Sequence, residues 1–146
     1  MAVAALLAGV LMLLTEVTTV ISVDLKNTSC EVINDSNPAL ADRCSQTGLE
    51  RSSVALLLLG LLTFVMGTGA ALGRSRPAAL ALIAIGVVVL GLTLGVDLPA
   101  SDDTGLIGRD YAEASAQPGI GLWFELGGGI LAVLAGALRV IRPDDR

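Results

Sequence analysis

Glu16 and Glu125 each lie inside a long stretch that is otherwise free of charge. A carboxyl group among apolar residues needs a partner, and such groups in membrane segments commonly serve binding or proton transfer. If both segments cross a bilayer, counting residues places the two acids at similar depth in its outer half. They could then share a proton, hold a cation or receive a cationic ligand. Thr15, Thr18, Thr19, Thr93 and Trp123 are the candidate neighbours, with Thr19 the first choice of a third ligand. The competing reading is structural: each carboxyl bonds a threonine or a carbonyl and fixes helix geometry.

The chain has two cysteines, Cys30 and Cys44. Catalytic dithiols usually sit as C-x-x-C, which activates one thiolate beside its partner. The much wider spacing here favours a structural disulfide. Closing a loop of about 15 residues contributes on the order of 3 kcal/mol in the chain-entropy treatment. The acids Asp97, Asp102, Asp103, Asp110 and Glu113 cluster in one Gly- and Pro-containing stretch, but their spacing matches no calcium loop and suits a solvated segment. With no histidine, there is no imidazole base, His-ligated zinc or His-ligated haem. The expectation is no metal, no cofactor and no enzymatic activity.

The elements that must position these residues follow from composition. Of 146 residues, 53% are apolar and 16% charged, against about 45–50% and about 25% in soluble domains. Four stretches are long enough for the roughly 20 apolar residues that a bilayer crossing requires: 1–23, 54–73, 78–96 and 119–141. The first lacks the basic n-region of a cleaved signal peptide, since its first basic residue is Lys26, so it reads as a retained helix. The expected fold is all-α: one transmembrane domain, an integral membrane four-helix bundle with a disulfide-capped first outer loop.

Basic residues orient such a bundle. The turn 74–77 carries Arg74 and Arg76, and Arg139, Arg142 and Arg146 end the chain through the tail 142–146. These belong in the cytoplasm, which leaves 24–53 and 97–118 outside. The first outer segment nets −2 and the second −4, a surface that attracts cations and repels nucleic acid. The Ala-, Leu-, Gly- and Val-heavy composition suits a bacterial cell membrane.

Small residues let helix backbones approach where lipid supplies no hydrophobic drive. Gly69 and Gly73, Gly91 and Gly95, and Gly128, Ala132 and Gly136 repeat at spacing four and so share helix faces. They are expected to pack the bundle and to leave a face for a second copy or another membrane protein. The first functional expectation is therefore an accessory, scaffold or assembly subunit. The alternative is a proton- or cation-coupled small transporter or channel using Glu16 and Glu125.

Overall fold

The computed structural model describes residues 2–25, 32, 44–52, 54–72, 75–104, 107 and 113–141. Cys30, Gly73, Arg74, Tyr111 and the tail 142–146 lie outside the described residues. Helix α1 spans Ala2–Val17, strand β1 Thr19–Leu25, strand β2 Ser45–Thr47 and the short helix α2 Gly48–Ser52. Helix α3 follows over Ala55–Leu72, and α4 covers Arg76–Leu92. A π-turn, Thr93–Asp97, carries α4 into α5, Leu98–Ala100; β3 is Ala114–Pro118 and α6 Ile120–Ile141.

Three of these helices are long and apolar enough to cross a membrane: α3, the continuous run Arg76–Ala100, and α6. The fourth, α1, is a shorter apolar helix. The expected span 1–23 is thus corrected, because its second part is a strand. Val17, Thr18, Thr19, Val20 and Ile21 form a β-branched run, whose stiff side chains suit a pleated backbone better than a helix. Thr18 closes the helix by donating its hydroxyl to Leu14 O at 2.8 Å. Hydropathy does not register this change, since the run is uncharged and largely β-branched in either conformation.

A sheet also corrects the all-α expectation, although the chain remains mostly helical. The strands lie in the order β2-β1-β3, antiparallel throughout. Val23 faces Ala116 in one pairing, and Ser22 faces Ser45 in the other. The sheet covers the end of the bundle where α1 stops and α3 and α6 begin. Val20, Ile21 and Leu122 join it to the helices, while Val23, Cys44 and Ile107 form a separate small core. At the start of α6, Gly119 donates its N–H to Val20 O at 2.7 Å, and a Cβ there would strike the Thr19 carbonyl.

The long helices form a ring in which α1 touches α3 and α6, and α4 touches α6 and α3. The interior is made largely of small residues: Ala5, Ala8, Ala70, Ala78, Ala79, Ala132 and Ala135 are buried. Large side chains such as Leu58, Val65, Leu80, Val87 and Leu134 point outward. This arrangement suits helices packed in lipid, where close backbone approach replaces hydrophobic collapse.

The small-residue repeats divide. In α6, Gly128 lies against Ala8 and Met12 of α1, Ala132 is fully buried, and Gly136 lies against the Ala79 backbone of α4. Gly69 makes ordinary contact with Ala78. Gly91 and Gly95 meet nothing within 4 Å, so the packing expected of them is not made within this chain. A second close α4–α6 approach involves Gly86, where a Cβ would lie 2.7 Å from Gly129 O and 2.8 Å from Val133 N.

Adding that methyl group forces two backbones apart, a distortion that costs roughly 1–3 kcal/mol. Gly86→Ala is therefore expected to lower the thermal midpoint of the protein in detergent, while Gly91→Ala, on an open face, leaves it unchanged or raises it. Equal shifts for both variants would show that this seam does not hold α4 to α6.

Candidate functional site

The local chemistry begins at the helix ends beneath the sheet. The first N–H groups of a helix have no partner inside it and take acceptors from elsewhere. Helix α2 solves this locally: Glu50 N donates to Thr47 Oγ1 at 3.4 Å, and Thr47 N donates to Glu50 Oε2 at 2.8 Å. That reciprocal pair is a capping box, and it fixes the turn that carries Arg51. At the start of α4, Ser75 Oγ accepts from Ala78 N, with Pro77 in the first turn.

Val54, which precedes helix α3, has no side-chain acceptor to offer, and among the described residues Ser52 directs its hydroxyl to Gly48 O at 2.7 Å. The acceptor comes from α1. Glu16 Oε1 receives the Leu57 N–H at 2.6 Å. Leu57 is in the first turn of α3, where a carboxylate also faces the positive end of the helix dipole. Glu16 is only 5% exposed and sits one residue before α1 ends, rather than deep within a longer span. Beside it, Thr15 Oγ1 donates to Leu11 O at 3.0 Å and reaches Gly121 O at 3.3 Å.

Glu125 has different surroundings. It lies on α6, is 1% exposed, and neither carboxyl oxygen has a hydrogen-bond partner. Thr93, Asp97 and Arg51 flank it. The Thr93 hydroxyl is committed to Val89 O at 2.9 Å. Arg51 Nε is paired with Asp97 Oδ1, while Nη1 donates to Gln46 Oε1 at 3.5 Å and Nη2 to Val96 O at 3.4 Å.

The π-turn helps to set this arrangement. Val89, Thr93, Asp97 and Ser101 are all buried at steps of four residues. In a regular α-helix each such step drifts by about 40° around the axis. Widening one turn to i→i+5 bonding, seen in Leu98 N donating to Thr93 O, offsets that drift. Glu125, Asp97 and Arg51 line a cavity of about 400 Å³ together with Ser52, Ala55, Leu56, Leu92 and Val96.

The shared Glu16–Glu125 site expected from the sequence is therefore divided. Glu16 serves the start of α3, and Glu125 faces Asp97 and Arg51. Thr19 belongs to β1, opposite Thr47, and Trp123 is exposed. Cys44 is buried against Val23 and Ile107, and the described residues include no free cysteine. Two site residues were missed in the sequence, Arg51 and Asp97, because both read as loop charges. The Thr47-Gly48-Leu49-Glu50 signature was the available sign that Arg51 stands on an ordered turn. Among the described residues, no group of three or more metal-ligating side chains occurs. No protein-family model, curated protein or solved structure matches the chain.

Glu16 as a cap from another helix has a specific consequence. Glu16→Gln retains an oxygen for Leu57 N–H and is expected to change stability little, whereas Glu16→Ala removes it and costs about 1 kcal/mol or more. Thermal unfolding in detergent measures both. Equal losses in the two variants would mean that the carboxylate's charge, and not its capping bond, holds α3 in place.

Proposed function

We propose that this chain is a non-enzymatic four-span protein of the cell membrane that binds a monovalent cation in the Glu125 cavity. The observation carrying this reading is Glu125 itself, an acid buried at 1% exposure with two unpartnered oxygens at the cavity wall. A buried carboxylate without a counter-charge is strongly unfavourable. A protonated carboxyl has Asp97 beside it as an acceptor for its O–H, but its other oxygen still lacks a donor. Asp97 and Glu125 together bring two acids to the site against one cation, Arg51, and that cation is already paired. A bound cation satisfies both the charge and the lone pairs of Glu125.

In this reading α1 is the fourth crossing. Its 16 residues span about 24 Å at 1.5 Å per residue, somewhat less than the hydrocarbon thickness. Its place in the ring between α3 and α6 supports a crossing helix. Arg76 and Arg139 lie at the bundle end opposite the sheet, which supports a cytoplasmic location for that end and for both termini. The sheet and cavity then face outward, where a Cys30–Cys44 disulfide closes the segment between β1 and β2. Cation binding is the first step of the proton- or cation-coupled transporter that the intramembrane acids suggest.

One further observation favours an accessory or scaffold role instead. Gly91 of α4 and Gly95 of the π-turn lie open, among exposed Val87, Val88 and Leu94. Such a face lets a helix of a second copy, or of another membrane protein, approach closely. A single-chain mass by light scattering in mild detergent would exclude a stable homo-oligomer.

Isothermal titration of the protein in nanodiscs with sodium, potassium and methylammonium is expected to show saturable binding of at least one cation. Glu125→Gln should weaken it at least tenfold. A folded wild-type protein that binds none of them removes the cation-binding reading. Separately, the disulfide predicts slower gel migration after reduction; two alkylatable thiols in unreduced protein would contradict it.

A further inference from the structure

The walls of the cavity restrict the kind of cation it suits. Building on the cation-binding reading, we propose that the Glu125 cavity takes a primary alkylammonium group. When ionised, Glu125 supplies one negative charge that Arg51, bonded to Asp97, does not pair. A single charge matches a monovalent ligand. A hard metal ion requires six or more oxygen ligands, yet Ala55, Leu56, Leu92 and Val96 give the cavity an aliphatic side. A bare ion in contact with that side would lose its water and gain nothing in return.

Hydrogen bonding narrows the choice further. Both Glu125 oxygens lack donors, and an ammonium group presents three N–H donors in a compact head. Two can meet Oε1 and Oε2, which leaves a third for water or another acceptor. A quaternary ammonium has no N–H to offer and is held instead by aromatic faces. None of the described residues lining this cavity is aromatic. A volume of about 400 Å³ leaves room beyond the head for a short alkyl chain, placed against Leu56, Leu92 and Val96.

The same ammonium chemistry occurs in soluble amines and in ethanolamine lipid headgroups, so both sources enter the test. Methyl-, ethyl-, propyl- and butylammonium are titrated into wild-type protein in phosphatidylcholine nanodiscs, beside tetramethylammonium and potassium. Affinity is expected to rise roughly three- to fourfold per added methylene, and tetramethylammonium to bind at least tenfold more weakly than butylammonium. Glu125→Gln should weaken butylammonium at least tenfold, but the wild-type series decides the matter without any variant. Repeating the titration in discs containing phosphatidylethanolamine separates the sources. Weakened butylammonium binding there assigns the site to the lipid headgroup, and unchanged binding assigns it to a soluble amine. Tetramethylammonium or potassium binding as well as butylammonium, or a series flat in chain length, overturns the alkylammonium inference while leaving a cation site standing. Absence of binding by every cation overturns both.

Discussion

A helix surrounded by hydrocarbon must satisfy its backbone from within the protein, and its first turn cannot do so alone. The sheet-covered end of this bundle is organised around that constraint. Val54 gives α3 no acceptor, so α1 supplies one from across a helix interface. Glu16 reaches Leu57 from the last turn of α1, and the chain leaves the bundle directly after it. Strand β1 begins at once, and β2 and β3 pair with it on either side. The end of α1 and the cap on α3 thus meet at the same contact.

The interior seam between α4 and α6 changes character along its length. At one end Gly136 lies on the Ala79 backbone, and in the middle Gly86 faces Gly129, so the axes are held close by missing side chains. One turn beyond Gly129 stands Glu125, opposite Thr93 and Asp97. Apolar contact gives way to polar groups at the point where the bundle opens under the sheet. The π-turn belongs to this transition, keeping Thr93 and Asp97 inward as the stripe of buried residues continues in steps of four.

Much of this architecture was legible in the residues. The spans around α3, α4 and α6 follow from length and hydropathy, because crossing a bilayer demands both. That Gly128, Ala132 and Gly136 share one helix face follows from spacing alone, and in the structure that face is buried. The end of α1 was not visible to hydropathy, since Val17 to Ile21 are uncharged in a helix and in a strand alike; only their β-branching separates the two. Gly91 and Gly95 show the reverse failure. A repeat at spacing four marks a face but does not say whether a neighbour in the same chain covers it. The candidate site was half legible: an acid inside an apolar stretch draws attention to Glu125, whereas Arg51 and Asp97 sit at the margins of spans, where charge is ordinary.

That distribution also explains why Arg51 does not neutralise both acids. Its Nε is bound to Asp97, and its two terminal nitrogens donate to Gln46 and to the Val96 carbonyl. Asp97 and Val96 belong to the π-turn, Gln46 to β2, and Arg51 to the capped turn of α2. The guanidinium is thus fixed by three elements on one side of the cavity, with Glu125 on another. Moving it to Glu125 would strand Asp97, a 7% exposed acid, without its counter-charge. Breaking a buried pair in this way is more costly than forming it is favourable. The geometry of the π-turn and the α2 capping box therefore keeps Arg51 on Asp97 and apart from Glu125.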